Sequence, residues 1–183
     1  MSIRVRIEDA FILFSIERLE AALLSILVAV AATARRRYPQ GTPSLLFPGK
    51  DMGDREAFER FVKDEMPRIC RIKNFNVNFR GEMHAVEHIF YKWIRCELAH
   101  EAALPQDVVF IPDPDPDHQR LQIRDDGVLV LSHGWMFGLI DVVIHAPENA
   151  DQFGIPPKAP LPIYLPKIDM TVDTGGKSER TAP

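Results

Sequence analysis

Apolar residues recur at three- and four-residue steps through Ile12, Ile16, Leu19, Leu23, Ile26, Leu27 and Val30. That is the period of an α-helix, and neither Pro nor Gly interrupts it, so one long helix is predicted from about Glu8 to Arg37. Arg35, Arg36 and Arg37 suit the negative end of that helix, and Pro39 and Gly41 follow it. The triple arginine therefore reads as a helix terminus rather than a nucleic-acid patch. Residues 38–53 are rich in Pro and Gly and form a connecting loop. Asp54 then caps a second helix over about 55–71, with Phe58, Phe61, Val62 and Ile69 on its buried side and Pro67 as a kink or early stop.

Phe75 to Phe79 alternates apolar and polar, which predicts a short strand. A third helix, about Glu82 to Glu101, carries the stripe Val86, Ile89, Phe90, Trp93, Ile94 and Leu98. His84, His88, Tyr91, Lys92 and Arg95 lie on its other side, and Leu104-Pro105 stops it. Val108 to Ile111 reads as a strand, followed by an acidic proline-rich loop. Leu121 to Leu131 reads as a hairpin around Asp125-Asp126-Gly127. Ser132 caps a fourth helix, about His133 to His145, which Pro147 ends.

These elements predict a mainly α protein, a four-helix bundle with a small β-hairpin inserted between the third and fourth helices. Residues 1–153 form one helical domain with the insertion at about 107–131. Residues 154–183 form a proline-rich extended arm and tail whose Pro157 and Pro160 have the Pro-x-x-Pro spacing of partner-groove ligands.

Composition narrows the function classes. A chain of 183 residues with 46% hydrophobic and 26% charged content is a globular domain able to bury a core. A net charge of −4 excludes a surface that grips nucleic acid all over, but not a local basic site. Such a site is visible: residues 68–95 hold six Lys or Arg against Glu82 and Glu87, a net +4. Residues 107–126 hold six Asp against Arg120 and Arg124, a net −4. The apolar run 21–34 is shorter than the ~20 residues a spanning helix needs. Glu17, Arg18 and Glu20 precede it, and each costs roughly 2.5 kcal/mol or more in a bilayer core. With only Cys70 and Cys96, a disulfide framework is not indicated, and a cytoplasmic protein without membrane contact is expected. Cys96 beside Arg95 could carry a lowered pKa, but a buried inert thiol is the commoner outcome.

Candidate chemistry concentrates near the end of the third helix, in Arg95-Cys96-Glu97-Leu98-Ala99-His100. An imidazole titrates near ~6.5, so His100 can take a proton from a ribose 2′-hydroxyl or give one to a leaving oxygen. A guanidinium matches phosphate oxygens bidentately, so Arg95 can hold a scissile phosphate and stabilise its extra charge. RNA supplies its own nucleophile, so the pair needs no cofactor. The bland alternatives are a terminal helical histidine favoured by the dipole and an arginine in a surface ion pair.

The stretch from Phe90 to Glu101 resembles the Arg-x4-6-His helix of the HEPN superfamily, and the likeness extends loosely over residues 83–150. The superfamily comprises all-helical proteins that include metal-independent ribonuclease toxins and antiviral effectors. The resemblance implies an RNA endonuclease acting in defence, stress response or a toxin–antitoxin pair. Arg95 and His100 would be catalytic, Glu101 or Tyr91 would assist, and Lys92, Arg80 and His88 would contact RNA. It also implies an antitoxin or other regulatory protein as partner, and a homodimer, since five residues of ideal helix turn through ~140° and separate Arg95 from His100 within one chain. A non-catalytic scaffold for dimerisation or nucleotide binding is the alternative. His84 and His88, one helical turn apart, raise a metal-dependent hydrolase as a second alternative, but no third ligand is evident and no bound metal is expected.

Overall fold

A computed structural model of the chain describes residues 2–113, 115 and 118–154. The proline-rich arm expected from residue 154 lies, apart from Gly154, outside the described residues. The protein is mainly helical, with two small sheets. Among the described residues, no helix is long and apolar enough to cross a membrane.

The first helical stretch is two helices rather than one. α1 (Ile3–Ser15) starts at Ser2, whose hydroxyl accepts from the Val5 amide, and α2 (Leu19–Arg37) follows a reversal at residues 16–18. The reversal is made by Glu17 in the left-handed region (φ 59°), with the Arg18 amide donating to the Leu13 carbonyl at 2.9 Å. A left-handed non-glycine residue costs roughly 1–2 kcal/mol. Folding α1 back on α2 offsets this by burying Ile3, Ile7 and Ala10, and the Ser25 hydroxyl donates to the Arg6 carbonyl between the two helices. Ile12 and Ile16, expected on the buried stripe, are instead 61% and 60% exposed.

α3 (Asp54–Cys70) buries Phe58, Phe61, Val62 and Ile69 as its periodicity predicts. It runs past Pro67 and ends where Arg71 adopts φ 63° and its amide donates to the Pro67 carbonyl. β1 (Asn76–Phe79) turns through Arg80-Gly81, both at positive φ, into antiparallel β2 (Glu82–Ala85). Positive φ at both turn positions suits the right-handed twist of a hairpin. The third helix therefore begins at Val86, four residues later than expected, because 82–85 pair with β1. It continues as α4 (Val86–Ile89), a π-helical segment (Phe90–Arg95) and α5 (Cys96–His100).

β3 (Val108–Ile111), β4 (Leu121–Ile123) and β5 (Leu129–Ser132) form the second sheet. β4 and β5 make the expected antiparallel hairpin, and β3 joins β5 in parallel, a pairing no local pattern predicts. α6 (Gly134–Ile144) follows, then a 3-10 turn (Pro147–Asn149) and α7 (Ala150–Phe153). A contiguous core joins these elements, and Leu23, Ile26, Leu27, Phe61, Phe90, Trp93, Ile94 and Leu98 share it as the helical period implies. Trp135 is fully buried, and its indole N–H donates to the Arg120 carbonyl at 2.9 Å.

Candidate functional site around the π-helical turn

The π segment lies directly before the Arg-to-His stretch. Its signature is the Cys96 amide donating to the Tyr91 carbonyl, five residues back. Wide turns of this kind are rare inside helices and are frequent at functional sites. Here the turn keeps Phe90, Trp93 and Ile94 buried together while leading into α5.

Arg95 is half-buried, and its guanidinium carbon lies 5.3 Å from the centre of the Tyr91 ring. Its Nε is buried with no hydrogen-bond partner, and among the described residues no carboxylate forms an ion pair with it. Most other described arginines have acidic partners. Arg35, Arg36 and Arg37 bind Asp54, Asp151 and the Glu65–Glu148 pair, so the triple arginine is engaged within the fold. Burial pushes the Tyr91 hydroxyl above its ordinary value, and the Arg95 charge only partly opposes this. Tyr91 also packs edge-on against Phe58 at 5.4 Å.

His100 is exposed at the last position of α5, and exposed Glu101 closes that helix with its amide on the Glu97 carbonyl at 2.7 Å. Among the described residues, no hydrogen bond or ion pair links Arg95 with His100. α5 is regular between them, so the angular separation expected of a helix persists.

The other candidate RNA contacts, Lys92, Arg80 and His88, gather around Trp93 rather than around Arg95. The Lys92 ammonium lies 4.5 Å from the indole centre, and the Arg80 guanidinium lies 5.5 Å from it and 5.1 Å from Phe79. Arg80 Nε and Nη2 each donate to Asp107 at 2.7 Å, and this holds the Asp107 carboxyl below its ordinary range. His84 and His88 face one another at 5.6 Å between ring centres, and both pack against Trp93. His88 Nδ1 lies 2.8 Å from Glu59 and 3.0 Å from Arg55. Among the described residues, no group of three or more His, Cys, Asp or Glu is arranged to hold a metal ion. The structure thus brings Lys92, Arg80 and His88 to one indole, and ties the last two to carboxylates far away in sequence.

An open groove of about 530 Å³ adjoins the end of α5, lined by Arg18, Leu19, Ala21 and Leu24 of the α1–α2 corner and by Leu98 and Ala102. The apolar surface continues past Leu24 to Ile12.

The Rv1289 family model matches residues 2–164, which include every described residue. The chain belongs to the Rv1289 family. The chain matches neither a curated protein nor a solved structure. The Rv1289 name specifies no reaction. Asp107 and Glu59 are the residues sequence reasoning missed: Asp107 pairs with Arg80 and Glu59 hydrogen-bonds His88, and each is 27 or more positions from that partner. The only signal was that acids were available elsewhere in the chain.

Proposed function

We propose that this Rv1289-family protein is a metal-independent RNA endonuclease of HEPN type. The observation that carries the reading is Arg95, a half-buried guanidinium over Tyr91 with a buried unpaired Nε and no acidic partner among the described residues. Buried polar nitrogens are ordinarily satisfied, and an anion is the natural missing partner. Arg95 binds the scissile phosphate. His100, exposed one helical stretch on, takes the 2′-hydroxyl proton or returns one to the departing 5′-oxygen. The 2′-oxygen attacks phosphorus, the bond to the 5′-oxygen breaks, and a 2′,3′-cyclic phosphate remains. Tyr91 and Glu101 assist, Lys92 meets the RNA backbone, and Arg80 and His88 flank it as weaker contacts because Asp107 and Glu59 already engage them.

In this reading α2, α3, the α4–α5 stretch and α6 are the four helices of a HEPN-like bundle, and the β3–β5 sheet is the insertion. Since Arg95 and His100 diverge around the helix, two copies flank one cleft, and the apolar surface through Ile12, Ala21, Leu24 and Leu98 is the face that joins them. The cellular setting is defence, stress response or a toxin–antitoxin pair in the cytoplasm, with an antitoxin as protein partner. The same apolar face favours a second reading, a non-catalytic scaffold that dimerises.

Total RNA incubated with the dimeric protein and a chelator separates the two. The nuclease yields cyclic-phosphate ends. His100→Ala lowers the rate by roughly 10²–10⁴-fold. Arg95→Ala is comparably damaging, and Arg95→Lys restores only part because lysine lacks the planar fork. Intact RNA across a broad pH range, with His100→Ala altering only dimerisation, refutes the nuclease and leaves the scaffold.

A further inference from the structure

A second cavity, of about 390 Å³, opens between loop 44–47, α3 and the start of α4. One wall is apolar: Leu45 and Leu46, 64% and 63% exposed, with Ala85 beside them. That wall is held in place rather than loose. The Glu56 carboxylate accepts from the Ser44 hydroxyl at 2.6 Å and from the amides of Leu45 and Leu46 at 2.7 and 3.3 Å, while Pro43 bridges to Asp51 at the base of the loop. Holding two large apolar side chains out at a cavity rim removes the ordering cost that a ligand would otherwise meet.

The opposite wall is ionic, and most of its charges are engaged within the protein. Glu56 braces the loop, Arg60 pairs with Asp64 at 3.3 Å, Tyr38 also donates to Asp64, and Glu59 takes Arg55 and His88. Two groups remain. Among the described residues, Glu87 meets no side-chain donor, only its own amide, and Lys63 forms no ion pair. They are close enough for Lys63 to act on the Glu87 carboxyl, yet they do not pair with each other. Burial nevertheless pushes Glu87 above the ordinary carboxylate range, Glu59 adds to this, and Lys63 and His88 oppose it.

We infer that this cavity binds a small zwitterion with an apolar arm, an aliphatic α-amino acid being the simplest: the Glu87 carboxylate takes the ligand's ammonium, Lys63 takes its carboxylate, and Leu45 and Leu46 cover the side chain. A charged group half-removed from water without a partner is costly, and an ammonium in the cavity relieves that cost at Glu87. The cavity falls within the roughly 300–1,000 Å³ of ordinary small-molecule sites. The site does not include Arg95 or His100; it shares only His88 with the proposed RNA surface, and the leucine titration reads it without any RNA present.

The probe is L-leucine, titrated into the ¹⁵N-labelled full chain and followed by amide chemical shifts. Saturable shifts are expected at Leu45, Leu46, Lys63, Glu87 and His88. 4-Methylpentanoate, which lacks the ammonium, and 3-methylbutylamine, which lacks the carboxylate, should each bind about tenfold or more weakly, the usual size of a lost charged hydrogen bond. Glu87→Gln should weaken leucine and leave 4-methylpentanoate unaffected, and Lys63→Met should weaken leucine and leave 3-methylbutylamine unaffected. Circular dichroism confirms that both variants are folded. The inference fails if leucine gives no saturable shifts. It also fails if either half-molecule binds as well as leucine, or if folded Glu87→Gln and Lys63→Met retain wild-type affinity.

Discussion

Arg37→Met tests whether the ionic cluster between α2, α3 and the 3-10 turn holds the bundle together. The Arg37 side chain is 17% exposed and bridges Glu65 at 2.7 Å and Glu148 at 2.6 Å, with its guanidinium carbon 4.5 Å from the centre of the Phe61 ring. Methionine keeps the apolar stem and removes the charge. Glu65 would retain Arg68 at 3.2 Å, but Glu148 would lose its cation. Removing one partner of a buried ion pair costs about 3–5 kcal/mol, and the surviving Arg68 contact places this case near about 3 kcal/mol. At about 2–4 °C per kcal/mol for a chain of this size, Tm should fall by about 6–12 °C. Arg4→Met, which breaks an exposed pair with Glu8 at 2.7 Å, is the control and should cost only about 0.3–0.5 kcal/mol. The difference should also depend on pH. Burial pushes Glu148 up, but its hydrogen bonds from Arg37 outweigh this and hold it below the ordinary carboxylate range. A lowered folded pKa means stability that is present above the unfolded value of ~4.3 and is lost as pH falls through the folded one. Wild type and Arg37→Met should therefore converge in acid. Thermal unfolding followed by circular dichroism reads both effects. A Tm for Arg37→Met within error of the Arg4→Met control at pH 7 would refute the reasoning.

Two further outcomes follow from single contacts. A Cβ on Gly138 would sit 3.1 Å from both the Ile69 carbonyl oxygen and Ile69 Cγ2, so Gly138→Ala forces α6 off α3. Overpacking of about 1–3 kcal/mol should outweigh the ~1 kcal/mol gain in helix propensity, and a raised Tm would count against this packing. Burial, and then donation to Asp64 at 2.7 Å, push the Tyr38 hydroxyl up to about 12. A raised folded value means that this contribution to stability persists below the unfolded ~10 and is lost as pH rises through about 12. Ultraviolet titration should show a phenol ionising near there in wild type but not in Tyr38→Phe, and an unchanged titration curve would reject the assignment.

Much of the fold was legible in the sequence. The helices over 19–37, 54–70 and 134–144 and the hairpin over 121–132 rest on local signals, the apolar period and a Gly127 that accommodates φ 81°, whereas the expected caps Asp54 and Ser132 give way to Gly53 and His133, which make no side-chain capping bond. The shared core of Leu23, Phe61, Phe90 and Ile94 follows from the same period, because an apolar stripe has to be buried against another. Arg95 and His100 could be singled out because imidazole and guanidinium carry their chemistry wherever they sit.

Tertiary structure decided the rest. Nothing local marks Glu17 as a break, since neither Gly nor Pro stands there; the reversal persists because α1 then buries Ile3 and Ile7. Residues 82–85 follow a helical pattern but pair with β1, and β3 finds β5 across an intervening strand. The basic stretch 68–95 looks like one phosphate-binding patch, yet Arg80 is held by Asp107 and His88 by Glu59, while Arg95 has no such partner among the described residues. Charge pairing depends on distance in space, which sequence separation does not encode. Long-range contacts therefore determined which cations are engaged and which remain available to a ligand.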